Sequence, residues 1–449
     1  MFRASYPSDP SERAPLPRSR RPRRGPPGNR RPGFRPELER VEDRCLMSGY
    51  TVTDLTFPGG YMIAAGAINN LGQVAGRGVG NGVPLGSVGA GLNNAVVWKP
   101  DGSIINLDAQ QRYGISYAND LTNPAQESEL QVVGSGGAGN VADVLLYAGG
   151  TMYDTGIPYS TTGSPGWALA ISDLGVVAGG YHPGGDPSQT HAFVWKDAGA
   201  LNHILDPGEL QDLNSLFPNA TSSTAEDIID ATAAFPYRQI VADAHVSVAG
   251  GGQQWRAYLL ADKGNNGFGS GVVVTDLGTL QKSTTTKASA INNGGQVAGY
   301  SGSDAFVWQN GVMTSLGQLY KNVAPPTAIN NSGQVVGDGY GPNGFTAWVW
   351  TGKGRIQDLN GLVPQSSVWG FEEARGINDA GQITVMTGTR PYLLTPISAP
   401  AAAANASTAS RIEAKTPNVA PVDPLVLDDL AHWLSTGVKG KRTQAVLPG

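Results

Sequence analysis

The sequence predicts an all-β chain, a seven-bladed β-propeller of four-stranded blades closed by an N-terminal strand; another closed or stacked β-repeat is the alternative. Three observations carry this. Gly is 62 of 449 residues and charged residues only 15%, a profile that suits many short strands joined by tight turns. A unit recurs along residues 50 to 396, most clearly as AINNGGQVAGYSGSDAFVWQNGVMTSLG from Ala290 to Gly317. A piece that belongs at the end of a unit, YTVTDLTFPGG (Tyr50 to Gly60), stands before the first one, while the seventh unit runs out after PYLLTP. A ring closed by its N-terminal strand accounts for both displacements, whereas an open solenoid would need capping units.

The chain opens on an Arg-rich and Pro-rich arm, residues 1–49. Residues 1–44 carry 12 Arg against 6 Asp or Glu, a charge of +6, so the remaining 405 residues carry −11. The arm has too few apolar residues to fold alone and reads as disordered. Its tail-like charge is also the pattern of a nucleic-acid binder, which would show a steep salt dependence lost on deleting residues 1–44. No folded nucleic-acid motif accompanies it and the body is acidic, so nucleic acid is disfavoured as a partner. Cys45, the lone cysteine, excludes an intrachain disulfide and a cysteine-rich zinc site.

The first half of the unit returns as AINNLGQVAG from Ala67, AISDLGVVAG from Ala170, AINNSGQVVG from Ala328 and GINDAGQITV from Gly376. Two copies are degraded, one around Tyr117 to Leu121 and one around Glu226 to Ala231. Asn or Asp followed by x-Gly between apolar stretches is hairpin-turn chemistry, because these residues tolerate left-handed backbone. The second half returns as AVVW, VLLY, HAFVW, AYLL, AFVW, AWVW and PYLL, and a D-L-G or D-L-N piece follows most copies. In the AFVW strand Phe306 and Trp308 share one face and Ala305 and Val307 the other. Both faces are apolar, as a sheet packed between two neighbours requires. Successive copies lie 38 residues apart at the closest (Ile291 to Ile329) and 63 at the widest (Ile228 to Ile291).

Beyond the propeller, residues 397–424 are rich in Ala, Ser and Pro and read as a linker. Residues 425–449 follow as a short amphipathic helix, with Asp423 as its cap and Pro424 opening it, and a basic tail. No apolar run reaches the roughly 18 residues of a membrane helix, so the sequence predicts no membrane span.

Two resemblances add to this. The unit resembles the HAF repeat, whose signature stands in full as His191, Ala192 and Phe193, over about residues 50–396. The stretch from Asp358 to Ile383, followed by PYLLTP, resembles that family's closing module. The segment LERVEDRCLMSGY, Leu38 to Tyr50, resembles the LEDR-type segment of planctomycete surface or exported proteins. Together they imply an extracellular or cell-surface repeat protein, although no signal-peptide stretch is present. The HAF family implies no particular chemistry.

The chemistry visible in the residues is sparse. GSGGAG, Gly134 to Gly139, fits a dinucleotide-binding motif, but Gly134 is the repeat's own Gly and no helix follows, so no cofactor is predicted. The five His show no metal-ligand spacing, and the Asn-rich turns offer amides where calcium needs carboxylates, so no metal is predicted either. His191 should be satisfied across strands, and Trp98, Trp195, Trp308 and Trp350 should be blade packing. The ligand site is predicted at the channel mouth, where residues break the repeat two positions before the repeated Ile. There Gly66, Leu169, Ser289 and Thr327 are neutral while Glu226 and Arg375 are charged, and Trp167, Lys287, Glu372 and Glu373 lie in the same segments. No catalytic residue is assigned. The sequence favours a non-enzymatic extracytoplasmic binding or scaffold module, taking a carbohydrate or a cell-surface protein. An extracellular polysaccharide hydrolase or lyase using paired carboxylates is the second reading.

Overall fold

A computed structural model describes residues 49–397, apart from 81–93, 110–114, 138–142, 158–165, 187, 198–201, 249, 251, 265–266, 281–282, 321–324, 342–343, 365–369 and 389. The predicted arm, Cys45, the linker beyond Ile397 and the C-terminal helix lie outside the described residues.

Seven antiparallel sheets follow one another along the chain. Blade 1 holds Thr56–Phe57, Gly60–Ile68, Val74–Gly80, Asn94–Trp98 and Ile104–Asn106; blade 2 holds Ile115–Leu121, Val132–Gly137, Asp143–Ala148 and Thr151–Asp154. Blade 3 comprises Trp167–Ile171, Val177–Tyr181, His191–Trp195 and Leu210–Asp212, and blade 4 comprises Ala220–Ile229, Gln239–Val248, Gly252–Asp262 and Val272–Asp276. Blade 5 runs through Thr286–Ile291, Val297–Ser301, Asp304–Gln309 and Val312–Gly317, and blade 6 through Pro326–Ile329, Val335–Gly341, Gly344–Trp350 and Gln357–Asp358. Blade 7 takes Glu373–Ile377, Ile383–Thr387 and Arg390–Pro396 from the C-terminal side, and its outermost strand is Tyr50–Asp54, paired from Tyr50↔Pro396 to Asp54↔Tyr392. The chain is thus a seven-bladed propeller, with a fifth short strand on blade 1.

Why Tyr50–Asp54 fits there is visible in one recurring contact. In blade 3 the third-strand His191 Nδ1 meets the fourth-strand Asp212 Oδ2 at 2.6 Å, and in blade 4 Arg256 Nη2 meets Asp276 Oδ1 at 2.8 Å. In blade 7 the same pair is Arg390 Nη1 and Asp54 Oδ2, 3.1 Å apart, although 336 positions separate them. The displaced N-terminal piece therefore carries the fourth-strand aspartate in its register.

The cores lie between blades. Phe306 and Trp308 pack with Ile229 and Val241 of blade 4, while Ala305 and Val307 pack with Val335 and Trp348 of blade 6. The two-faced reading of the third strand holds: large residues face the preceding blade and small ones the next. Phe193 and Trp195 repeat this against Val133 and Leu146 of blade 2. Burying each such ring stabilises the fold by about 1.5–3 kcal/mol.

Each first strand carries a β-bulge at one repeat position. Pairing with the second strand skips a residue between Ala118 and Asp120, Ala168 and Ala170, Ala225 and Asp227, Ala288 and Ala290, Pro326 and Ala328, and Ala374 and Gly376, and it slips between Ala65 and Ile68. A bulge re-aims one side chain and bends the strand. It also explains the repeat's recurring glycine. At Gly337 an added Cβ would stand 2.2 Å from the Pro325 carbonyl oxygen, and at Gly134 1.8 Å from that of Tyr117. In the five blades that carry this glycine the first-strand carbonyl lies so close to the second strand that a side chain there would overlap it. Blades 4 and 7 carry Ala242 and Val385 at the same register position, opposite Ala225 and Ala374.

Candidate functional site: the central channel

The seven skipped residues form the waist of the central channel: Gly66, Asn119, Leu169, Glu226, Ser289, Thr327 and Arg375 together line a chamber of about 630 Å³ on the side where the first strands start. Six of them, all but Gly66, also line a second chamber of about 540 Å³ on the side of the Asn turns. The waist is where the two chambers meet. Its residues differ from blade to blade, while the frame around them repeats.

The turn-side rim is a belt of hydrogen bonds made by the repeated Asn pairs. The first Asn of each turn caps its own loop: Asn330 Oδ1 accepts from the Ser332 and Gln334 N–H groups at 3.1 and 2.9 Å. Its Nδ2 donates to the next blade, with Asn292 to Asn330 O at 2.8 Å, Asn330 to Asn378 O at 2.9 Å, and Asn378 to Asn69 O at 3.0 Å. The second position accepts backbone N–H from the preceding blade: Asn293 N–H donates to Asn331 Oδ1, Asn331 N–H to Asp379 Oδ1, Asp379 N–H to Asn70 Oδ1, and Asn70 N–H to Asn123 Oδ1, all at 2.8–2.9 Å. Asn123 N–H continues to Asp173 Oδ1 at 2.7 Å, Leu174 N–H to Asp230 Oδ2 at 2.8 Å, and Thr232 Oγ1 reaches Asn293 O at 3.4 Å, which completes the circuit. The turn reading of these residues was right but incomplete, since they also tie blade to blade. Replacing Asn330, 3% exposed, by Ala should lose about 2–4 kcal/mol in urea unfolding, because several buried backbone groups lose partners. A loss under about 1 kcal/mol would show that the belt does not hold the ring.

Four carboxylates lie deep around the waist. Asp120 accepts the Leu121 and Ile171 N–H groups at 2.9 and 2.8 Å, and Asp227 accepts those of Ile228 and Ile291 at 2.7 and 2.8 Å. Each thus clips its blade to the next. Burial nonetheless pushes Asp120 up to about 6 and Asp227 to about 7, because no cation neutralises them. Burial also pushes Glu226 up to about 7, with Lys287 pulling the other way. Asp243, 2% exposed, is raised well above the carboxylate range by burial and by the Glu226 charge; it accepts the Ala288 N–H at 2.8 Å and lies 3.7 Å from Lys287 Nζ. Glu226 itself makes no hydrogen bond among the described residues.

The predicted site residues separate into two groups. Glu226, Glu373 and Arg375 line the start-side chamber together, with Arg375 Nε donating to Glu373 Oε2 at 3.0 Å. Lys287, Trp167 and Glu372 are not among the lining residues of either chamber. Lys287 holds its ammonium 3.9 Å over the Trp255 ring, and its charge acts on Glu226. Trp167 lies against Gly180 and edge-on to His182 at 5.6 Å, and Glu372 donates its N–H to Met386 O at 2.8 Å. Asp120, Asp227 and Asp243 were not singled out from the sequence. The signal was present: Asp120 and Asp227 stand where clear copies carry Ala170, Ala290 and Ala328, in the two copies read as degraded.

No family model and no curated protein matches the chain. Among solved structures it is similar to the extracellular domain of a B. thetaiotaomicron protein described as a hybrid two-component system, at 10% identity and TM-score 0.45, covering 77% of this chain and 39% of that one. It is similar to the β-propeller domain of the trilobed protease of Pyrococcus furiosus at 9% identity and TM-score 0.41, covering 77% and 98%, and to TolB of Acinetobacter baumannii at 12% and 0.37, covering 63% and 62%. The chain spans less than two thirds of the first and third of these. No helix among the described residues is long and apolar enough to cross a membrane.

Proposed function

We propose that this chain is an extracytoplasmic, non-enzymatic binding or scaffold module whose ligand, a carbohydrate or a cell-surface protein, enters the central channel, and that its blades are HAF-like repeats of an extracellular or cell-surface protein. The observation that carries this is the waist: in six blades the bulge turns a side chain into the channel, in blade 1 the position is Gly66, and that position varies while the frame repeats. The two blades with charged waist residues, Glu226 and Arg375, are also the two whose facing glycine is replaced, by Ala242 and Val385. The cations that line the start-side chamber are partnered, Arg375 with Glu373 and Arg77 with the Tyr117 hydroxyl, which suits holding a ligand better than transferring protons.

The enzyme reading rests on one observation, the Glu226 carboxyl pushed to about 7, in the range of a general acid. Fractionation of the native host should recover the protein outside the cytoplasm, with its N-terminus trimmed near Cys45 to Tyr50. A carbohydrate panel should find a ligand whose affinity drops at least tenfold in Glu226→Ala or Arg375→Ala, with no reducing ends released. Full-length protein confined to the cytoplasm would remove the extracytoplasmic reading. Affinities unchanged in both variants would remove the channel, and polysaccharide cleavage abolished by Glu226→Gln would establish the enzyme instead.

A further inference from the structure

The turn-side chamber is strongly unbalanced in charge. Its deep tier carries Asp120, Glu226 and Asp227, and its rim carries Asp173, Asp230 and Asp379. Arg375 is the only cationic side chain among its lining residues, and it is paired with Glu373. Among the described residues, only Asp230 of the rim carboxylates has a cation, Arg238, at 3.1 Å. The remaining carboxylates are held by N–H dipoles, which satisfy lone pairs but leave net charge. Glu226 stands apart even from these: it lines both chambers at the bulge and accepts no hydrogen bond among the described residues, with the Lys287 charge as its one cationic influence.

The tiers are three residues apart along a strand, Asp227 to Asp230, so about 10 Å separates them. No group of three His, Cys, Asp or Glu among the described residues is arranged to hold one metal ion. The charge is spread along the chamber, which suits a ligand whose own positive charges are spread in the same way. A volume of about 540 Å³ is that of a site for a small organic molecule.

We propose that this chamber binds an organic polycation, a polyamine whose ammonium groups lie on the two carboxylate tiers with Glu226 as the innermost contact. This rests on the reading of the channel as a binding site and goes beyond its carbohydrate or protein ligand, adding a cationic class of ligand at the turn-side chamber. The raised carboxylates agree with it: a bound cation supplies the charge they lack, pulls them down and releases protons. Glu226 faces Asp227 on its own strand, Asp243 on the second strand of its blade, and Lys287 and Tyr300 on blade 5; Asp120 of blade 2 acts on Asp227. Of these only Lys287 opposes the ligand's charge.

The test is calorimetric titration of the full-length protein with spermidine at low ionic strength, in two buffers of different ionisation enthalpy. Binding at pH 7.5 with proton release is expected, weakened at least tenfold at pH 5.5. Glu226→Gln should weaken it at least tenfold, and Arg375→Gln, which removes the chamber's cation, should tighten it severalfold. Opposite shifts in two variants cannot arise from loss of fold. Absence of heat at pH 7.5 overturns the proposal, as does an affinity unchanged in both variants, which would put spermidine on the outer acidic surface. Calcium chloride binding through Glu226 without spermidine binding also overturns it. A neutral oligosaccharide that binds and is lost in the waist variants, with spermidine silent, overturns the polycation and leaves the binding module standing.

Discussion

Excising Tyr50–Asp54 should lower the thermal midpoint by roughly 5–10 °C and make the protein associate more than the parent does. Tyr50, 5% exposed, packs with Phe371, Tyr392 and Val336, and Val52 joins the same core. Burial of those two side chains alone is worth about 3–6 kcal/mol, a large part of the roughly 5–15 kcal/mol that typically separates folded from unfolded states. The Arg390–Asp54 pair, with both side chains more than a third exposed, adds little. What the excision creates matters as much as what it removes. Arg390–Pro396 becomes an unpaired edge strand flanked by apolar residues, a template for pairing with another chain. Thermal melts with light scattering would read both effects. A variant that melts within about 2 °C of the parent and scatters no more light than it does would show that the seventh blade is held by its neighbours and not by closure.

That strand was legible because the fourth-strand piece has its own wording, aspartate followed by leucine, and stood out of order. The blade faces were equally legible, since alternation of Phe306 and Trp308 with Ala305 and Val307 survives directly as packing. The channel lining was read only in part, and the bulge explains why. Strict alternation puts residues two apart on one face, so Trp167 should accompany Leu169 and Lys287 should accompany Ser289 into the channel. A bulge at Leu169 and at Ser289 breaks the alternation, and neither Trp167 nor Lys287 lines it. The repeat marked Glu226 and Arg375 because it fixed their position relative to the Ile, independent of alternation. Asp120 and Asp227 were passed over because copies with altered wording read as decayed, although their carboxylates make the interblade contacts that the clear copies leave to other groups.

Stability should fall as pH rises from about 5 to about 8, the reverse of what paired surface carboxylates would give. Burial raises Glu226 and Asp227 to about 7 and Asp120 and Asp338 to about 6, and lifts Asp243 well above the ordinary carboxylate range. An acid whose folded pKa exceeds its unfolded one binds protons more tightly in the folded state. Its stabilising contribution is complete below about pH 4 and is lost as pH climbs through the folded value. A tenfold gain in proton affinity on folding is worth about 1.4 kcal/mol, so Glu226 alone accounts for a few kcal/mol at most, reduced by channel water and by Lys287. Asp101 and Asp186 move the other way, each lowered by its hydrogen bonds from Ser103 and Ser188. Their contribution is lost only below about pH 4, outside this window. Urea midpoints should therefore be higher at pH 5 than at pH 8, and Glu226→Gln should match the parent at pH 5 while exceeding it at pH 8. A midpoint that rises with pH, or a Gln variant weaker at both values, would mean that Glu226 is already satisfied within the fold. A channel that costs the fold stability at neutral pH is what a site awaiting a cation requires, and added spermidine should recover the difference at pH 8 in the parent but not in Glu226→Gln.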